Sequence, residues 1–164
     1  MLFHYQTLVA GLVGFLGVII SILANGYLAR KQERAQRFHE KDTILAALRA
    51  ELKVNLATIK MRSEQLSIPS PSHRNQGYLP ILVFNDVYKS SLHKIGVLED
   101  KQAEQVIKMY LLLEELPTKM QLLSGTELVS SSFVLFSTIE HRQHAAAEHK
   151  VLVDMLKSTL AKIA

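Results

Sequence analysis

The chain opens on an unbroken apolar run. From Tyr5 to Tyr27 the only polar side chains, apart from the two end tyrosines, are Gln6, Thr7, Ser21 and Asn25. A helix of about 22 residues rises roughly 33 Å, the thickness of a bilayer core. Tyr5 and Tyr27 stand at its two ends, where amphipathic rings prefer the headgroup level. A helix apolar all round belongs in lipid or in a large core, and the run has no polar face. It is also too long for the apolar region of a cleaved leader, and no basic side chain precedes it. The expected domain plan is a transmembrane anchor over 1–29, a basic juxtamembrane stalk over 30–43, and a helical domain over 44–164.

Small residues recur inside the run. Ala10, Gly14, Gly17, Ser21 and Ala24 are spaced 4, 3, 4 and 3 apart. On a membrane helix such a seam lets backbones approach closely, so the anchor is expected to self-associate, with Asn25 one turn further on. The alternative is that Gly and Ala are simply frequent in membrane helices.

Beyond the anchor the hydrophobic period changes. Ile44, Leu45, Leu48, Leu52, Leu56 and Ile59 recur at three and four, which predicts a long amphipathic helix over 30–66 with a polar first part. That helix would act as a lever between membrane and domain. The segment 67–80, with three of the four prolines, is the one clear loop. A short helix follows, with Val83, Phe84, Val87, Tyr88 and Leu92 as its apolar set and Gly96 as its stop. Glu99 or Asp100 caps the next helix, which Pro117 should kink or interrupt near Leu116. Gly125-Thr126 marks the next break, and Thr126 is the expected cap of a last helix running to the end. "SSFVLFSTI" is the only β-like run, and its flanks read as helical. The fold class is therefore all-α: one N-terminal transmembrane helix followed by a cytosolic helical bundle.

Charge sets the expected orientation. No Asp, Glu, Lys or Arg precedes Arg30, whereas Arg30, Lys31, Arg34, Arg37 and Lys41 follow the apolar run. The positive-inside rule puts the N-terminus outside and the remainder in the cytoplasm of a bacterial cell, single-pass in the inner membrane. The formal net charge of +4 is mild, and no DNA binding is expected. There is no cysteine, which excludes disulfides, thiolate metal sites and cysteine nucleophiles.

Two clusters carry candidate chemistry. The loop offers His73, Arg74, Asn75, Gln76 and Tyr78: a cation for phosphate, amides for base edges and a ring for stacking. Lys53, Lys60 and Arg62 would add charge if they faced it. The second cluster is His141, His144 and Glu148, within about 60° on one helix face. Two imidazoles and a carboxylate can hold zinc, but the spacing is not H-E-x-x-H and no fourth ligand is evident. A solvated face with His–Glu pairing is the favoured reading, with no metal and no cofactor. No G-x-S-x-G, Walker loop or G-x-G-x-x-G occurs, so the chain is expected not to be an enzyme.

The plan, "LVAGLVGFLGVIISILANGYLARK" followed by about 130 residues, is similar to that of the membrane effectors of type III CRISPR systems. The resemblance is one of architecture and carries no motif. It implies an oligomer, with a tetramer as one option, whose cytosolic domain binds cyclic tetra-adenylate in antiviral defence. The anchors would then repack, opening a pore or thinning the bilayer. A scaffold that recruits a protein partner without a small ligand is the alternative.

Overall fold

The computed structural model describes residues 2–68, 79–125 and 132–163, with the side chains of 2–10 and Leu12 outside the description. It is an all-α protein. Helix α1 spans Leu2–Ser67, α2 Asp86–Ser91, α3 Asp100–Ser124 and α4 Ile139–Lys162, with a 3-10 segment at Leu92–Val97 between α2 and α3. Among the described residues the sole strand pairing is between β1, Leu79–Pro80, and β2, Phe133–Val134. It is antiparallel, with Leu79 opposite Val134.

The chain divides into two compact units, Met1–Asp42 and Thr43–Ala164. In the first, Val13, Phe15, Val18, Ile20, Ile22, Leu23 and Leu28 are all exposed. This helix is long and apolar enough, near the N-terminus, to cross a membrane: its apolar window has a mean hydropathy of 1.6 and none of it is buried.

The second unit has a conventional core. Ile44, Leu45, Leu48, Leu52 and Ile59 of α1 are buried and Leu56 is partly buried, as their period requires. They join Val106, Met109, Tyr110, Leu113, Leu116 and Met120 of α3, and Ala145, Leu152, Val153 and Leu156 of α4. Helices α3 and α4 pack against each other.

Several sequence expectations change. Helix α3 runs through Pro117 without interruption. A proline removes one helical N–H and crowds the preceding turn. Here Leu113, Leu116 and Met120, buried on both sides of it, hold the helix to the core. The α3 stop does fall at the expected break, on Gly125, whose φ of +65° places it in the left-handed region. A Cβ there would collide with the His141 ring and with Ser137 Oγ, so only glycine fits.

Helix α4 does not begin after residue 126. It begins at Ile139, where Thr138 is extended and its side chain accepts a hydrogen bond from His141 N at 3.2 Å. Capping by threonine at that point defines the start. Phe133 and Val134, expected to be helical, are extended instead, and Ile81 N donates to Ser132 O at 3.0 Å beside them. The short helix after the loop begins only at Asp86, and of its expected apolar set Phe84 and Leu92 are exposed.

Candidate functional site

The polar interior of the second unit was not foreseen. Glu51, Asn55 and Arg62 share the buried stripe of α1 with its leucines, and His149 shares that of α4. Glu51 is 7% exposed. One carboxylate oxygen accepts from Val87 N at 2.8 Å. The other accepts from Tyr88 N at 3.1 Å and from the Tyr110 hydroxyl at 2.7 Å. Val87 and Tyr88 lie in the first turn of α2, whose N–H groups have no helical partner. Asn85, at the cap position, supplies no side-chain cap, so Glu51 from α1 does so across space.

Asn55, one turn further, holds the approach to α2. Its Nδ2 donates to Phe84 O at 2.7 Å and its Oδ1 accepts from Phe84 N at 2.9 Å. Tyr88 and Tyr110 stack with centroids 4.1 Å apart and planes at 4°. Burial, then the bond to Glu51 and its charge, push the Tyr110 hydroxyl far above the ordinary tyrosine value. Burial and the charge of Glu114 raise Tyr88 as well.

The other interior polar pair is incompletely satisfied. Arg62 is 4% exposed, and its Nη1 has no hydrogen-bond partner. His149 is 1% exposed; its Nδ1 lies 2.8 Å from Ala145 O, which requires the proton on Nδ1, and its Nε2 has no partner. Burial lowers the His149 pKa and the Arg62 charge lowers it further, against opposing contributions from the Ala145 carbonyl and Glu148. His149 is thus a neutral ring beside a buried cation.

The expected loop site, His73, Arg74, Asn75, Gln76 and Tyr78, lies outside the described residues, as does Thr126. Of the three cations expected to support it, Lys53 and Lys60 are exposed, and Lys60 is 4.0 Å from Glu64, but Arg62 is buried. His144 and Glu148 are exposed, while His141 bonds Ser137 Oγ through Nδ1 at 2.7 Å. No group of three or more His, Asp or Glu among the described residues is placed to hold a metal ion.

Arg142, between those histidines, has the structural role instead. Its Nε donates to Leu66 O at 3.0 Å and its Nη2 to Gln65 O at 2.6 Å, closing the C-terminal end of α1. A cation there suits the helix dipole. At the opposite end of α4, Arg49 donates to Ile163 O.

In the first unit, Gly14 and Gly17 have nothing within 4 Å of the position a Cβ would take. The Ser21 hydroxyl bonds back to Gly17 O at 2.8 Å. Ala24 is exposed, and the Ala10 side chain lies outside the described residues. On α3 a surface depression of about 440 Å³ is lined by Leu111, Glu114, Glu115, Thr118 and Lys119, all from that one helix.

Comparison with family models, with curated proteins and with solved structures gives no match in any of the three.

Proposed function

We propose that this chain is a bitopic membrane protein that works as a non-enzymatic binding module, a sensor–effector whose spans self-associate and whose helical domain responds to a ligand. The supporting observation is the contrast within α1. Its C-terminal part buries its apolar stripe in a core, while Val13 to Leu28 expose apolar side chains on every face. A soluble chain rarely leaves so large an apolar surface open, and lipid covers it without residue-specific contacts. The ligand class that suits the loop residues His73 to Tyr78 is an anionic nucleotide, of which a cyclic oligoadenylate is the leading candidate.

A thermal-shift screen on the full chain in detergent tests this, with cyclic tetra-adenylate, mononucleotides and divalent metals as separate arms. Binding to the native state alone raises the melting temperature with ligand concentration. A nucleotide-specific rise supports the sensor. A rise with metal alone overturns it in favour of a metalloprotein.

No rise at all favours the second reading, a scaffold that recruits a protein partner. Exposed Leu122 (79%) and Leu111 on α3, and Val151 and Met155 on α4, favour that reading.

A further inference from the structure

The first unit carries a second longitudinal pattern. Arg30, Arg34 and Arg37 lie at intervals of four and three, and Lys41 continues the register. At about 100° per residue these four Cα positions fall within an arc of about 60°. The seam Ala10, Gly14, Gly17, Ser21 and Ala24 centres on a direction roughly 150° away on the same wheel. The basic row is thus nearly opposite the small-residue seam.

Arg30, Arg34 and Arg37 are exposed. Arg37 meets Glu33 at 2.8 Å, but both side chains are well solvated, at 74% and 61%, and such pairs exchange readily for other partners. The row begins directly after the apolar run, at Arg30. Arg34 and Arg37 stand about 6 and 10 Å further along the axis, within the headgroup layer and one Debye length of it.

We propose that this row is a binding surface for anionic phospholipid headgroups. The inference rests on the membrane-spanning reading. Guanidinium groups match phosphate oxygens with paired donors. Each Lys or Arg near an anionic surface strengthens attachment by about fivefold. In an assembly paired through the glycine seam the rows point away from the partner helix, toward surrounding lipid, so like charges are kept apart.

The chain has no tryptophan, so Tyr27→Trp introduces a single reporter at the end of the apolar run. The full-length variant is reconstituted in phosphatidylcholine vesicles containing chain-brominated phosphatidylglycerol or chain-brominated phosphatidylcholine. Quenching of the reporter measures which lipid surrounds the helix. The expected result is a preference for phosphatidylglycerol of at least about fivefold. It should weaken with salt and drop severalfold in Arg34→Gln/Arg37→Gln, in which Arg30 and Lys41 remain. Lys53→Gln/Lys60→Gln, with the same change in net charge, should keep it. Inorganic phosphate at matched ionic strength should not compete; competition would mean a free-phosphate site and overturn the lipid assignment.

Equal quenching by both lipids in the Tyr27→Trp protein, or an unchanged preference in the double arginine variant, overturns the inference while leaving the span intact. Absence of quenching by either lipid overturns both the inference and the span.

Discussion

The carboxylate of Glu51 on α1 accepts the Tyr110 hydroxyl of α3 at 2.7 Å while capping α2. One buried side chain therefore ties three helices, and it does so through donors that have no alternative in the core. Glu51→Ala should cost about 3–5 kcal/mol, because three donors lose a charged acceptor. Glu51→Gln should cost less, about 1–3 kcal/mol, since one oxygen survives. Tyr110→Phe should lose about 1–2 kcal/mol while keeping the stack on Tyr88. Chemical denaturation of the three variants checks the order. A Gln variant as stable as the wild type would mean that shape, not hydrogen bonding, is what Glu51 supplies.

Arg142 joins the ends of two helices. Arg142→Ala should free the Gln65 and Leu66 carbonyls and destabilise the domain by about 1–2 kcal/mol. Arg142→Lys should recover only part of this, because an ammonium cannot reproduce the forked geometry. Hydrogen exchange should rise at the C-terminal end of α1 before it rises elsewhere. Uniform exchange across the domain would argue against a local cap.

The pH dependence has a sign at each end. Burial holds the His149 pKa below the ordinary histidine value of 6.5, so the unfolded chain binds the extra proton first. Stability is then complete above about pH 6.5 and lost as pH falls below it. Tyr110 is raised above 10.0, so its contribution is complete below pH 10 and lost above it. His149→Leu should flatten the acid limb, and Tyr110→Phe the alkaline limb. Melting temperatures from pH 5 to 11 measure both. An acid limb that survives in His149→Leu would assign it to another group.

These residues show what the sequence made legible. The period of Ile44, Leu45, Leu48, Leu52 and Ile59 was readable because apolar burial repeats with the helix turn. Glu51, Asn55 and Arg62 occupy the same period, but a polar residue on an apolar face has no signature of its own. Its partners, Phe84, Val87, Tyr88 and Tyr110, are distant in sequence. His149 could have been found by following Ala145, Leu152 and Leu156 through it. The histidines at 141 and 144 drew attention instead, by composition. At Pro117 the local tendency to interrupt the helix is outweighed by burial on both sides. At Phe133–Val134 the β-like local run is right and its helical flanks mislead, because the pairing partner Leu79–Pro80 is distant in sequence.

His141→Ala with His144→Ala should leave metal content and function unchanged, since neither joins a ligand cluster. Stability should fall by no more than about 1 kcal/mol, from the lost His141–Ser137 contact. Metal analysis of the purified chain before and after the double substitution decides it. Loss of a stoichiometric metal would restore the metal-binding reading.

In the anchor, Gly14→Leu/Gly17→Leu keeps the span apolar and improves helix propensity, so insertion should persist. The larger side chains must separate helices packed through the seam. Single cysteines along the span, in a chain with none, should crosslink with the 10, 14, 17, 21, 24 period. Crosslinking should fall in the double variant and be little changed by Gly11→Leu. Crosslinks without that period would make the anchor a passive tether.

The near-opposition of glycine seam and arginine row makes the stretch between Ala24 and Arg30 a phase setting rather than a spacer. Adding one residue there would turn the row by about 100°. One addition or two would each bring it to within about 50° of the seam direction, against its own copy in a paired assembly. Seven would restore the relation to within about 20°. Length changes in this stretch would therefore be felt periodically, with the composition of the segment hardly altered.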